Sequence, residues 1–408
     1  MRILQLCPKV PWPPDDGGRV AMRVLGLSLL EAGAGVRTLS LNPRKHRTEA
    51  SALPAEAAPL RVEAVDVDTS VTATGALRSL LTGTSYNVER FRSPAFEARL
   101  ATVVSDWRPD VVLLESLYMV PYLPALRRAT RAPVVLRSVN VEHEIWDRLA
   151  ANARGALLRR WLGLLAARLK AYEVGTMESV DAILPVTEED ASTYRRLGAR
   201  RPLLVTPVGM DSREWPDRSG QGEPGMLVFL GSLDWRPNLE AVRWFLRDVW
   251  PRVKAEVPEA RFRIAGSNPP RRLDEARRTE GVELLGRVAD ARTFFASGTA
   301  MVVPLLSGGG VRVKILEAMA LGVPVVSTRL GAAGIAARDG REILLADDPE
   351  GLASACTRLL RDSARAAQLG RAGRREILAA HDASGIARRV LAFLGELLEA
   401  DGTRPPGS

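Results

Sequence analysis

The chain has few of the residues that build disulfide frameworks or metal centres. Its 408 residues include two cysteines, Cys7 and Cys356, which lie far apart, and three histidines without the spacing of metal ligands. These absences exclude a disulfide scaffold and a cysteine-based zinc or iron–sulfur centre. The carboxylates show no clustering that indicates a divalent cation. We therefore predict no bound metal and no resident cofactor.

Long apolar runs are missing as well. No stretch approaches the roughly 18 apolar residues that a membrane-spanning helix requires. The apolar stretch at the N-terminus is short and interrupted by prolines, which disfavours a signal peptide and favours a first β-strand. With so little cysteine, a reducing cytoplasm is the expected compartment.

Charge is abundant but scattered. Arginine and lysine number 57 against 48 acidic residues, giving a net charge of +9, and only five of the basic residues are lysine. A basic balance favours anionic partners. The chain has no basic block, zinc finger or RNA-binding aromatic signature, so nucleic acid is not an expected partner. Phosphorylated small molecules and an acidic membrane surface are favoured instead.

Short apolar runs alternate with segments of helical periodicity, which indicates an α/β protein with parallel sheets. The predicted strands are Arg2–Cys7, Val36–Leu41, Arg61–Val65, Asp110–Glu115, Pro133–Arg137, Asp181–Val186, Pro202–Thr206, Met226–Gly231, Arg261–Ala265, Val282–Leu285, Ala300–Pro304, Pro324–Thr328 and Ile343–Leu345.

The pattern starts afresh in the second half, so we predict two doubly wound domains. The first covers residues 1–207, a polar linker rich in Gly and Pro covers 208–225, and the second domain covers 226–383. A helix over 384–400 is expected to cross back onto the first domain, followed by a disordered tail, 401–408. Ligands of such folds bind at the carboxyl ends of the strands.

The strongest motif follows the predicted strand that ends at Pro304. Three glycines, Gly308 to Gly310, precede Val311 and a helix that carries Arg312, Lys314 and Glu317. Glycines allow positive φ and close backbone approach, and a helix N-terminus attracts anions. The segment therefore predicts an anion-binding loop with two cations beside it. The alternative is a structural glycine-rich loop with a solvated arginine and lysine.

A weaker motif lies between the first strand and the first helix. Gly17 and Gly18 precede the helix and allow backbone N–H groups to approach an anion. An ordinary tight turn explains the same residues equally well.

These segments together resemble the family 4 glycosyltransferases, which share the two-domain GT-B fold. The resemblance extends over nearly the whole chain, and variants of the glycine motif resemble a subgroup associated with exopolysaccharide and exosortase loci. Its landmarks are Gly17–Gly18, Gly33–Val36, Val208–Asp211, Phe229–Asn238, Ala265–Gly266, Gly286–Asp290 and Ser307–Pro324.

The resemblance implies two Rossmann-like domains facing a central cleft and a retaining transfer of sugar from a nucleotide-diphosphate sugar. The expected acceptor is a saccharide or a lipid-linked molecule. It also implies that Glu317 holds the ribose and that Val288 contacts the donor. Backbone N–H groups of Gly309, Gly310 and Val311 are expected to hold the donor sugar or its diphosphate.

The chain departs from the family at three donor-site positions. Gly309 stands where relatives often have the first of two glutamates, of which Glu317 matches the second, and Ser232 and Asn238 stand where relatives commonly have an arginine and a lysine. We therefore expect Arg312 and Lys314, helped by Arg236, to supply the missing positive charge. A weak or inactive enzyme is the alternative.

In the first domain, Glu115 occupies the strand end where many relatives have a histidine. A carboxylate there can orient or deprotonate an acceptor hydroxyl, or it can be a strand-end salt-bridge partner. Asn140, Glu142 and His143 follow the next strand and are expected to line the acceptor cleft. His143 alone is equally well explained as a helix-start histidine.

Two further points stay open from the sequence. The basic amphipathic helix around Arg159–Lys170 fits peripheral binding to an acidic membrane at its cytoplasmic face, or a solvated helix face. A nucleotide-sugar 2-epimerase on the same fold and a non-catalytic nucleotide-sugar-binding protein are the alternatives to a transferase.

Overall fold

The computed structural model describes the chain except for residues 71, 73–84, 154, 271–272, 401 and 403–408. Two compact units are present: residues 1–209 with 383–408, and residues 210–382. The predicted tail, 401–408, lies outside the described residues apart from Gly402.

The first unit is built on a six-stranded parallel sheet in the order β3-β2-β1-β4-β5-β6. Apolar layers cover both of its faces, as expected for strands that are continuous apolar runs. Its strands are β1 (Arg2–Cys7), β2 (Gly35–Pro43), β3 (Glu63–Val67), β4 (Val111–Leu114), β5 (Val134–Ser138) and β6 (Ala182–Pro185).

Helices connect these strands. They are α1 (Gly17–Glu31), α2 (Tyr86–Glu89), α3 (Pro94–Trp107), α4 (Leu123–Ala129), α5 (Glu142–Ala151), α6 (Ala156–Ser179) and α7 (Glu188–Arg196). Helices α5 and α6 pack against each other as a hairpin. The turn between them ends at Gly155, whose φ of +100° is a conformation that favours glycine. The break that the sequence predicts near Gly155 is confirmed.

The second unit contains another six-stranded parallel sheet, in the order β12-β11-β10-β7-β8-β9. Its apolar core forms from the sheet and the helices packed on it. Its strands are β7 (Glu223–Leu230), β8 (Arg261–Ala265), β9 (Val282–Gly286), β10 (Gly298–Val303), β11 (Val325–Ser327) and β12 (Leu344–Leu345).

The helices of the second unit alternate with its strands. They are α8 (Arg236–Trp244), α9 (Trp250–Glu256), α10 (Asp274–Arg278), α11 (Ala291–Ala296), α12 (Val313–Ala320), α13 (Pro349–Arg361) and α14 (Ser363–Ala380). A turn of π-helix, Phe245–Val249, joins α8 to α9. The last helix, α15 (Ala383–Ala400), belongs to the first unit and packs on α1.

The two predicted doubly wound α/β units are confirmed, with small shifts at most strand ends. The predicted strand Pro202–Thr206 is confirmed only in part: it is not a regular strand, but it runs beside the edge strand β6 with a bridge between Leu203 and Ile183 and three backbone hydrogen bonds to Ile183 and Pro185. Residues 223–225, predicted as linker, form the start of β7 instead. In the described part of the chain, no helix has the length and apolar content needed to cross a bilayer.

Both sheets follow one topology. In each, the first and fourth strands of the unit are neighbours, β1 beside β4 and β7 beside β10. The connections leave these neighbouring strands in opposite directions, which opens a crevice at the carboxyl ends of the sheet. These two crevices are the places where a fold of this kind binds its ligands.

Candidate functional site

The glycine loop, residues 304–312, joins β10 to α12 at the crevice of the second sheet. Gly308 has a φ of +112° and Gly310 a φ of +77°. A Cβ on Gly308 would approach the ring of Trp235 and the Arg312 guanidinium to 3.1 Å. Backbone conformation and space thus both require glycine at position 308, and the predicted positive φ holds for two of the three glycines.

Lys314 crosses the crevice from α12 to the end of β7. Its Nζ donates hydrogen bonds to the carbonyl oxygen of Leu230 at 3.0 Å and to Oδ1 of Asn238 at 3.1 Å. It also lies 4.4 Å from the ring centre of Phe229. Asn238 is buried and donates from Nδ2 to the carbonyl of Ser232. Asn238 therefore holds the lysine rather than replacing it.

The surroundings of Lys314 disfavour its charge. The residue as a whole is partly buried, yet its ammonium is enclosed. The pKa of Lys314 is lowered to about 7: burial is the main cause, the nearby Arg312 charge adds to it, and the Glu317 charge opposes it. An anion that binds beside Lys314 restores a partner charge and raises this pKa again.

Arg312 is turned back onto its own loop. Its Nη1 donates to the carbonyl oxygens of Gly309 and Gly310. Its guanidinium lies 5.8 Å from the ring centre of Trp235, and the residue is buried. In this conformation Arg312 orders the glycine loop. Its predicted contact with a diphosphate stays a prediction.

The other predicted cation, Arg236, points to solvent. Its side chain is 74% exposed and its Nε donates to Glu240 Oε1 at 2.6 Å. The second oxygen of Glu240 accepts a bond from Ser307 Oγ at 3.2 Å. Ser232 is exposed and donates to Asp234 at 2.5 Å. Hydrogen bonds to Glu240 therefore connect the first turns of α8 with the start of the glycine loop.

Glu317 and Val288 lie at different distances from this loop. Glu317 is one helical turn after Lys314 on α12, is partly buried, and acts on the charge of that lysine. Val288 follows β9, and β8 lies between β9 and β7 in the sheet. The structure thus places Glu317 beside the cations and Val288 two strands away.

In the first unit, the N-terminus of α1 is capped by a side chain. Gly17 and Gly18 begin α1, but Asp16 caps it and accepts a bond from the backbone N–H of Arg19 at 3.0 Å. Burial raises the pKa of Asp16, but the Lys9 ammonium, 2.6 Å away, and the Arg19 N–H outweigh it and hold the value below its usual range. The Asp16 carboxylate thus accepts one backbone N–H at the start of α1, and the contact of Gly17 and Gly18 with an anion stays a prediction.

Glu115 lies inside the first unit. It follows β4 directly, and its side chain is 0% exposed. One carboxylate oxygen accepts from Gln5 Nε2 at 2.6 Å and the other from Arg137 Nη1 at 3.0 Å. The salt-bridge interpretation describes this geometry, because neither oxygen faces an open surface where an acceptor hydroxyl can reach it.

Arg137 completes that buried pair. Its side chain is 0% exposed, and Nη1 also donates to the carbonyl of Ala21 at 3.0 Å. Its Nε and Nη2 find no protein partner among the described residues. The crevice of the first sheet is therefore filled by an ion pair with Gln5, which Thr38 in turn contacts at 3.0 Å.

Asn140, Glu142 and His143 do come together, at the start of α5. His143 is buried, and its Nδ1 lies 2.7 Å from Glu173 Oε2. The backbone N–H groups of Glu142 and His143 both donate to the Glu173 carboxylate at 3.2 Å. The hydroxyl of Tyr118 donates to Glu142 Oε2 at 2.9 Å. We name this group, with Tyr194 below, the acidic cluster.

Sequence reasoning missed Glu173 and Tyr194. Tyr194 donates to Glu173 Oε1 at 2.7 Å and shares a hydrogen bond of 2.6 Å with Ser138 Oγ. Glu173 lies four residues from both Leu169 and Met177, so it occupies the buried stripe of α6. The sequence signal for Glu173 was a carboxylate at a position where the helical pattern of α6 otherwise has apolar residues.

The acidic cluster shifts the titration of its members. The pKa of Glu142 is raised to about 7: burial is the main cause, the Tyr118 hydrogen bond opposes it, and the Glu173 charge adds to it. Burial likewise raises the pKa of Asp190, at the start of α7, to about 6. Glu142 thus lies close to half protonation at neutral pH and can hold or release a proton there.

Within the described ranges, no group of three or more His, Cys, Asp or Glu side chains is arranged to hold a metal ion.

Sequence comparison connects the second unit with a known family. Residues 224–362 match the family described as "Glycosyl transferases group 1". A segment of 130 residues is 28% identical to an uncharacterised 44.6 kDa protein from the cps region of Klebsiella pneumoniae. The segment amounts to 30% of this chain. The chain spans about a third (34%) of the length of that relative.

Structural comparison covers the whole chain. Sucrose-phosphate synthase from Thermosynechococcus elongatus superimposes with a TM-score of 0.72 at 16% identity, over 98% of this chain and 100% of that one. TarM from S. aureus, crystallised as a mutant with fondaparinux, α-GlcNAc-glycerol and UDP, gives 0.70 at 9% identity over 96% and 99% of the chains. HepE from Anabaena, crystallised with UDP and glucose, gives 0.63 at 14% identity over 96% and 99%.

These likenesses establish the two-domain Rossmann-like fold. The family match over residues 224–362 includes the glycine loop and relates the second unit to glycosyl transferases.

Proposed function

We propose that this protein is a retaining glycosyltransferase of family 4 that needs no metal ion. It moves a hexose or related sugar from a nucleotide-diphosphate sugar to a saccharide or lipid-linked acceptor. The observation that carries the proposal is Lys314, held at the crevice of the second sheet beside a glycine loop within the segment that matches the family.

The diphosphate is the group that the second unit is suited to hold. Backbone N–H groups of Gly309, Gly310 and Val311 donate to its oxygens, and Lys314 supplies charge where negative charge develops as the glycosidic bond breaks. Arg312 acts mainly by fixing the loop carbonyls. Because protein cations take this role, we propose that a divalent metal is dispensable.

Glu317 is proposed to accept hydrogen bonds from the ribose hydroxyls. It lies one turn from Lys314, so a nucleoside bound there places its diphosphate and its ribose against neighbouring turns of α12. Uridine is the first base to test, because the solved structures of HepE and TarM contain UDP.

The acidic cluster is the proposed acceptor-binding region. Glu142 is the member suited to exchange a proton near neutral pH, and His143 is oriented by Glu173. Glu115 and Arg137 are assigned to the fold. The cps-region relative supports a role in polysaccharide or glycoconjugate biosynthesis, and a cytoplasmic location at the inner face of the membrane suits such an acceptor.

A screen of nucleotide-diphosphate sugars by thermal shift, followed by turnover of the best binder in EDTA, tests the proposal. We expect binding and acceptor-dependent release of nucleoside diphosphate in chelator. Loss of turnover in EDTA with rescue by Mg²⁺ or Mn²⁺ would contradict the metal-free mechanism. Conversion of the donor without any acceptor would indicate an epimerase, and tight binding without turnover would indicate a binding protein.

A further inference from the structure

Exposed apolar side chains of the first unit gather in one place. In the described part of that unit, every large apolar side chain that is more than about a third exposed lies within residues 149–164, which we name the helix tip. Leu157 is 85% exposed. The set is Leu149, Leu157, Leu158, Trp161 and Leu164.

The fold does not need these side chains. The buried residues of α6 all lie between Ala166 and Met177, and its first ten residues contain none. Residues 155–161 are exposed without interruption. The start of α6 therefore projects beyond the core, and its leucines and tryptophan contribute little to the packing of the first unit.

The sequence of the helix tip carries charge of one sign. Residues 148–172 contain six basic residues and no aspartate or glutamate, in a chain whose acidic residues are otherwise frequent. Arg148 is paired with Glu144, Arg154 lies outside the described residues, and the other four are Arg159, Arg160, Arg168 and Lys170. Arg159 and Arg160 are exposed and stand between Leu158 and Trp161.

We propose that the helix tip docks on an anionic phospholipid bilayer. Leucine and tryptophan side chains enter the boundary between headgroups and acyl chains, and the neighbouring arginines contact the phosphates. The one-sided charge selects this occupant, because it is complementary to anionic lipid and repels the same surface of a second copy. No spanning helix is involved.

The location fits a lipid-linked acceptor. Helix α5 begins at Glu142 in the acidic cluster and ends at Ala151 in the helix tip, so a rise of 1.5 Å per residue separates the two by about 15 Å. Only this link to the acceptor rests on the proposed function. Binding to vesicles requires neither donor nor acceptor.

Co-sedimentation of the full chain with vesicles tests the surface. We expect binding to phosphatidylcholine mixed with phosphatidylglycerol, weak binding to phosphatidylcholine alone, and a loss of binding as salt rises. The double variant Arg159→Gln/Arg160→Gln should weaken binding by roughly tenfold to thirtyfold, since each basic residue near an anionic surface contributes about fivefold. Leu157→Ser/Leu158→Ser should weaken it further or abolish it.

The matched control is Arg388→Gln/Arg389→Gln, an adjacent exposed arginine pair on α15 of the same unit with the same loss of charge. The control should bind like the unaltered protein. Equal loss in the control, or full binding by the tip variants, would overturn the proposal. So would a dimer in light scattering that dissociates on Leu157→Ser. Binding of UDP by each variant, measured apart, reports on the proposed function independently.

Discussion

The two sheets share one strand order, but the crevices at their carboxyl ends are filled differently. In the first sheet, Glu115 and Arg137 form an ion pair with no exposed surface. In the second, the corresponding space holds a glycine loop and the single amine of Lys314. The same topology therefore places charge differently in the two units. In the first unit, the Glu115 carboxylate and the Arg137 guanidinium neutralise each other. In the second, among the described residues, no carboxylate is hydrogen-bonded to the amine of Lys314.

The difference separates stability from chemistry. A buried ion pair contributes to the fold because removal of one partner leaves the other charge desolvated. Among the described residues, the Lys314 amine is hydrogen-bonded to a carbonyl and an amide oxygen, and with its lowered pKa this lysine gains most when an anion binds. Substitutions in the first crevice should therefore lower stability, whereas substitutions in the second should lower turnover.

The largest expected effect is on stability in the first unit. Glu115→Ala should lower the free energy of unfolding by about 3–5 kcal/mol, because Arg137 is left buried without its carboxylate. Urea denaturation measures this. Glu144→Ala, which breaks an exposed ion pair with Arg148 in the same unit, should cost under about 1 kcal/mol. Similar losses for both variants would remove the distinction between buried and exposed pairs.

The next effect is on turnover in the second unit. Lys314→Ala should lower kcat by roughly 10²–10³, with much less change in donor KM, because the lost charge acts on the developing diphosphate. Arg312→Ala should fall in the same range through loss of loop order. Steady-state kinetics with Lys254→Ala, a lysine on α9, provide the comparison. A kcat within about threefold of the unaltered enzyme would exclude both residues from this role.

A smaller effect concerns the pH dependence of stability. The pKa of Glu142 is raised to about 7 in the folded protein, so the protonated carboxyl favours the fold. Its contribution is complete below the ordinary value of about 4.5 and is lost as the pH rises through 7, with a limit of about 3 kcal/mol. Glu142→Gln should flatten the fall in stability between about pH 5 and 8.

Chemical denaturation across that pH range, with Glu178→Gln as control, checks the Glu142 prediction. The Glu178 carboxylate is exposed on α6, and its replacement should leave the profile unchanged. If Glu142→Gln keeps the full pH dependence of the unaltered protein, the titrating group lies elsewhere in the acidic cluster.

The smallest effect is on the ribose contact. Glu317→Ala should weaken binding of nucleoside diphosphate by about 1.5–3 kcal/mol, the range for a hydrogen bond to a charged group. Calorimetry measures it, and Glu350→Ala on the exposed start of α13 should bind normally. Unchanged affinity in Glu317→Ala would remove the residue from the donor site.

Much of this fold was predictable because the local signals agreed. Apolar runs gave the strands, and Gly155 and the glycines after Pro304 gave the turns with positive φ. The segment at 202–206 was predicted as a full strand because an apolar run at a sheet edge does not reveal how regular its pairing is. It runs beside β6 with one bridge, at Leu203, and three backbone hydrogen bonds.

Side-chain roles were harder to predict, because partners distant in sequence decide them. Glu115 depends on Arg137, 22 residues away, and Lys314 on Asn238, 76 residues away. Nothing next to Arg312 in the sequence indicates that it turns back onto Gly309. Glu173 was overlooked because its neighbours in α6 make it one polar residue in an apolar stripe.

The most direct test of the account is calorimetric titration of UDP, in EDTA, into the unaltered protein and Lys314→Ala at about pH 8. Two buffers of different ionisation enthalpy report the protons taken up. We predict uptake of close to one proton by the unaltered protein, because the bound diphosphate raises a pKa of about 7 above the working pH, and little uptake with weaker binding by the variant. Equal affinity and equal proton uptake in both proteins would contradict a diphosphate site at Lys314.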